Sequence, residues 1–105
     1  MMEQAVKTHT LKTVGDIWDR VASGEKTFEV RRDDRGFQKG DVVVLERWHV
    51  KGATGGLRAD MDGSGYSEKP KALTFKIGFV LSGGQYGLEP GYVAFSLQPV
   101  DAANG

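Results

Sequence analysis

The spacing of apolar and polar positions changes several times along the chain. Residues 5–12, "AVKTHTLK", read as a short first strand. In "TVGDIWDRVASGEK" (13–26), Val14, Ile17, Trp18 and Val21 recur at helical intervals, which predicts one amphipathic helix of about two to three turns. Thr13 stands where an N-cap belongs, Asp16 follows three positions on, and Gly24 suits a left-handed C-cap. From Lys26 to Arg31 the period drops to two. Phe28 and Val30 then point one way, and Thr27, Glu29 and Arg31 the other. The expectation is that Phe28 and Val30 anchor this strand to the core.

The segment "RDDRGFQKGD" (32–41) carries turn residues and leads into a strand at "DVVVLERWHV" (41–50). Residues 51–72 are glycine-rich with few large apolar groups, and read as a long flexible hairpin connection with ragged strand ends. Two more β-rich runs, "LTFKIGFVLSGG" (73–84) and "GYVAFSLQPV" (91–100), are joined through "GGQYGLEP"; the tail at 101–105 is expected to fray. One short helix with about four to six strands, most linked as antiparallel neighbours, predicts an α+β, mainly β fold: a small barrel or strongly curved sheet with the helix at one end.

Composition narrows the picture. A chain of 105 residues with 39% hydrophobic content is the size of one domain with its own core. Fourteen basic and fourteen acidic residues cancel, and the pI is near 6.7, so any nucleic-acid site must be a local patch rather than a broad positive field. The absence of cysteine excludes disulfides, thiolate metal sites and cysteine nucleophiles. No apolar run is long enough for a membrane span, and "MMEQAVKTHT" has no signal-peptide core. A cytoplasmic protein with no membrane partner is expected, as a monomer, with an edge-strand homodimer left open.

Three constellations carry candidate chemistry. On the polar face of "KTFEVR", Glu29 and Arg31 lie two residues apart. They form either a solvated surface ion pair or, at a barrel mouth, the lining of a pocket in which Arg supplies a planar fork and Glu an acceptor. Between residues 31 and 40, Arg31, Arg32, Arg35 and Lys39 outweigh Asp33 and Asp34. That loop either captures phosphate or is spent on closing its own turn. In "SGGQYG" (82–87), Gln85 and Tyr86 offer an amide and a stacking ring for an unpaired base, or simply decorate a hairpin turn. The loop matches neither a P-loop nor a dinucleotide fingerprint, so no cofactor is implied. His9 and His49 lack a third ligand and suggest no metal; His9 reads as a surface histidine within reach of the pocket.

"GEKTFEVR" resembles the G-x-K-x-x-E-x-R signature of the ASCH domains, members of the PUA-like superfamily of RNA-associated β-barrels, with Gly24, Lys26, Glu29 and Arg31 in its four fixed places. "HTLK", the helix ending in "SGEK", "DDRGFQKGDVVVL" and "VLSGGQYGLEPGYVAFSL" are similar, in order, to an uncharacterised phage and bacterial branch of these domains. The resemblance implies a PUA-like barrel with a cleft that binds RNA, a nucleotide or a modified nucleoside. Lys26, Glu29 and Arg31 would line that cleft, with Arg35 and Lys39 adding phosphate contacts and Gln85 and Tyr86 nearby. It also implies an alternative, a small hydrolase acting on RNA or on a modified nucleoside. One ASCH group removes the acetyl group of N4-acetylcytidine with a Lys, a Thr and a Glu. The lysine carries over onto Lys26 as a general base, while Glu29 occupies the place of the nucleophilic threonine and no counterpart of the distal glutamate is found. A third possibility is a protein-interaction module with a vestigial cleft.

Overall fold

A computed structural model describes residues 5–51, 56–59 and 70–100. Among these are six strands, β1 (Thr8–Val14), β2 (Phe28–Arg32), β3 (Val42–Lys51), β4 (Gly56–Ala59), β5 (Ala72–Ser82) and β6 (Tyr92–Pro99), and one helix, α1 (Gly15–Ala22). The fold is mainly β, as expected. The strand order is β1-β3-β5-β6-β2, with β4 also paired to β3. Sequence neighbours pair directly at β3–β4 and β5–β6, both antiparallel. The other neighbours in the order require crossovers, so the sheet is less of a simple meander than the turn signals suggest. The tail, and all of the glycine-rich connection except Lys51, β4 and 70–72, lie outside the described residues.

By its internal contacts the chain divides into two compact units. The first takes in residues 5–9, 27–43 and 74–100. Its core is the inward row of β6, Val93, Phe95 and Leu97, with Val43, Ile77 and Phe37. Phe37 belongs to no strand; it packs its ring 5.1 Å from Phe95 and 4.7 Å from His9, centroid to centroid. Backbone bonds tie this irregular stretch down: Gly40 N–H donates to the Ile77 carbonyl, and Ile77 N–H to that of Asp41. Asp33 Oδ1 accepts from the N–H groups of Gly36 and Phe37, closing the turn with its own side chain.

The second unit takes in residues 10–26, 44–51, 56–59 and 70–73. Its core is Leu11, Trp18, Val21 and Leu45. The Trp18 indole N–H donates to the Leu45 carbonyl at 2.8 Å, tying α1 to β3. Arg47 seals the same contact from outside, donating through Nε and Nη2 to the two carboxylate oxygens of Asp19, each at 2.9 Å. The helix begins later than expected. Strand β1 runs through Val14, so Thr13 is a buried strand residue, and Val14 at the N-cap position makes no side-chain cap bond. Only Gly15, Trp18 and Val21 of the helix are buried, which leaves Ile17 on its exposed side. The C-terminus ends as read: Gly24 adopts φ +86° and donates to the Val21 carbonyl.

Candidate nucleic-acid interface

Among the described residues, strand β2 pairs only with β6 and ends the strand order. Its register sets Glu29 opposite Phe95 and Arg31 opposite Val93, two of the three buried residues of β6. Directly opposed residues project from the same side of an antiparallel pair, so the odd positions of β2 face inward. Glu29 is 3% exposed, whereas Phe28 is 49% and Val30 47% exposed. This corrects the expectation that Phe28 and Val30 anchor the strand. The alternation is real; its sense is reversed, because the core face of β6 dictates which face of β2 goes in.

Burying a carboxylate is costly unless it is paired. Arg31 supplies the partner, its Nε donating to Glu29 Oε1 at 2.8 Å with three quarters of its side chain covered. The contact restricts the rotamers open to the Arg31 guanidinium. Of the other two signature residues, Gly24 closes α1 and Lys26 follows it. The Lys26 N–H donates to the Arg20 carbonyl at 3.0 Å, which holds the lysine in the second unit, half-buried. Glu29 and Arg31 belong to the first.

The remaining predicted residues sit on turns of the first unit. Arg35 is exposed, with Nε 3.8 Å from Asp34 Oδ1. Lys39 is exposed on the turn before Gly40. Gln85 donates its side-chain amide to the Ser82 carbonyl at 2.8 Å, so its amide serves to close the hairpin tip. Tyr86 stands at that tip with φ +52° and 87% exposure.

A family model described as a domain of unknown function, DUF3850, matches residues 8–97. The chain belongs to the DUF3850 family. It is also similar to an uncharacterized 12.9 kDa protein in the GpA 3′ region of Escherichia phage P2, 33% identical over 54 residues, 51% of this chain and 49% of that protein. The chain thus spans about half the length of the curated relative it matches.

Two polar features of this DUF3850 domain escaped the sequence reading. His9 is not a surface histidine: it is buried, its Nε2 2.9 Å from Asp41 Oδ2. Asp41 also accepts from the Lys7 and Gln38 N–H groups. Burial pushes the Asp41 carboxyl up, but the His9 contact and the two backbone donors outweigh it and hold it below its ordinary value. The signal was present in β1, where His9 and Thr13 share the face of Leu11 by simple alternation. Second, Arg32 lies over the Tyr92 ring, 5.4 Å from its centroid. Among the described residues no group of three His, Asp or Glu side chains could hold a metal ion, and no helix is long and apolar enough to cross a membrane.

Proposed function

We propose that this DUF3850 domain is a PUA-like domain of the ASCH type that binds RNA, a nucleotide or a modified nucleoside through the inward polar face of β2. Arg31 contacts a phosphate or a base acceptor, and Glu29 orients Arg31. Arg35 and Lys39 add phosphate contacts, and Tyr86 supplies a ring at the rim.

The observation that carries this reading is the sense of β2. Leaving Phe28 49% and Val30 47% exposed while burying Glu29 forgoes part of the roughly 1.5–3 kcal/mol that full burial of each apolar side chain supplies. It also adds the desolvation of a carboxylate and part of a guanidinium. Stability alone favours the opposite assignment, and residues that oppose stability mark binding sites. A guanidinium held by a buried carboxylate is a preorganised fork for a phosphate or a base edge.

The test is binding of short single-stranded RNA and of cytidine nucleotides to the intact chain, Arg31→Ala and Arg31→Lys, each checked for folding by thermal melting. Arg31→Lys keeps the charge and loses the fork, so affinity is expected to fall roughly ten-fold or more with a nearly unchanged salt slope. Wild-type affinity in a folded Arg31→Lys, or no binding by the intact chain, contradicts the reading.

A further inference from the structure

The outward face of the first unit's sheet carries a second feature. Across β2 and β6, Phe28 stands opposite Ser96, Val30 opposite Ala94 and Arg32 opposite Tyr92. Across β5 and β6, Leu81 stands opposite Ala94 and Lys76 opposite Gln98. These residues therefore share one side, the reverse of that bearing Glu29, Phe95 and Leu97. The ladder is broken between Ile77 and Val80, where Gly78 and Phe79 together face Ser96. Phe79 N–H donates to Ser96 Oγ, and its ring is 68% exposed. A Cβ at position 78 would lie 2.3 Å from Ser96 Oγ, so any other residue there would displace the hydroxyl that accepts from Phe79 N–H.

The result is a face with three aromatic rings, Phe28, Phe79 and Tyr92, and two cations, Arg32 and Lys76, with no Asp or Glu at any of the paired outward positions. Exposed apolar surface of this kind marks an interaction site. A second copy seated face to face would oppose Arg32 and Lys76 with the same charges and offer no carboxylate in return. An anionic chain bearing flat bases answers both the charge and the rings, since base-on-ring stacking tolerates any sequence and Arg adds a cation–π contact.

We propose that this outward face is a stacking platform for single-stranded RNA, with bases on Phe28, Phe79 and Tyr92 and phosphates at Arg32 and Lys76. The inference shares its ligand class with the inward site but not its residues, so variants at Phe28 and Phe79 test it apart from Arg31.

The experiment is fluorescence anisotropy with a short labelled oligouridine on the intact chain, on Phe28→Ala/Phe79→Ala and on Arg32→Ala, with melting curves and sedimentation for each. Because neither phenylalanine belongs to the buried core, Phe79 being 68% and Phe28 49% exposed, the double variant should keep its fold and lose roughly ten-fold or more in affinity per ring, with an unchanged salt slope. Arg32→Ala should lower the slope. Photocrosslinking of bromouridine-containing RNA should map to Phe28, Phe79 or Tyr92. The proposal is overturned by undiminished binding in the double variant, by an intact chain that does not bind oligouridine, or by a wild-type dimer that the double variant dissolves.

Discussion

His9 Nε2 lies 2.9 Å from Asp41 Oδ2, with both side chains more than nine-tenths buried in the first unit. The pair joins the start of β1 to the entry of β3, and the Asp41 carboxylate gathers two backbone N–H groups from Lys7 and Gln38 as well. Its pKa is lower in the folded chain than in the unfolded one. The stabilisation it gives is therefore complete above the unfolded value of about 4 and is lost as pH falls through the depressed folded value. Asp41→Asn is expected to cost about 1–3 kcal/mol at neutral pH and to flatten the acid limb of the stability curve. Urea titrations of both proteins across that acid range check it; an acid limb unchanged in Asp41→Asn contradicts the assignment.

The sense of β2 is open to a chemical test because the chain has no cysteine of its own. Single-cysteine variants at Phe28, Glu29 and Val30 are expected to react with a maleimide in the order set by exposure. Positions 28 and 30 should label at near-model rates, and position 29 only after local opening. Fast labelling at 29 with protection at 28 restores the opposite orientation.

In the second unit, Trp18→Phe keeps most of the buried ring but leaves the Leu45 carbonyl without its indole donor. The expected cost is about 1–3 kcal/mol in chemical denaturation. Asp19→Asn removes the carboxylate from Arg47 at the solvent edge of the same contact; its effect should be smaller and fade with added salt. A larger cost for Asp19→Asn than for Trp18→Phe would mean that the outer ion pair, not the buried indole bond, fastens α1.

Two adjacent glycines separate close approach from backbone conformation. A Cβ on Gly83 would sit 1.9 Å from the Glu89 carbonyl oxygen and 2.6 Å from that of Tyr92, both backbone atoms. Gly84 meets nothing within 4 Å but holds φ +88°. Gly84→Ala is expected to cost about 1–2 kcal/mol, the left-handed penalty, and Gly83→Ala distinctly more, because the hairpin must spread. Thermal melts of the two variants rank them.

Much of the fold was legible where a local pattern has one physical outcome. The apolar run at 42–45 had to be a central strand, and Gly24 after a helical segment had to take positive φ. For Asp33 the sequence left phosphate capture and turn closure both open, and its carboxylate does close the turn, accepting from the N–H groups three and four positions on. What failed were choices between two locally equivalent outcomes. Alternation in "TFEVR" defines two faces without saying which one meets the core; that was decided by β6, some sixty residues away, through the register Glu29↔Phe95. Thr13 could cap a helix or continue a strand, and the buried row His9–Leu11–Thr13 settled it as strand. His9 shares the buried face of Leu11, but the carboxylate that pairs it there comes 32 residues later and has no mark in β1 itself. Of the candidate site, the chain pattern identified Glu29 and Arg31 as one polar face. It could not reveal that Gln85 turns its amide back onto its own hairpin, nor that Arg32 and Tyr92 meet across strands.

The measurement that bears most directly on the inward site is a nitrogen-15 NMR titration that follows the Arg31 Nε–H resonance as short single-stranded RNA or a cytidine nucleotide is added. The account predicts saturable shifts of that resonance and of the 29–31 amides at ligand concentrations where the Arg31→Lys protein shows none. Binding that leaves the Arg31 Nε–H unmoved, or a chain indifferent to every such ligand, would contradict it.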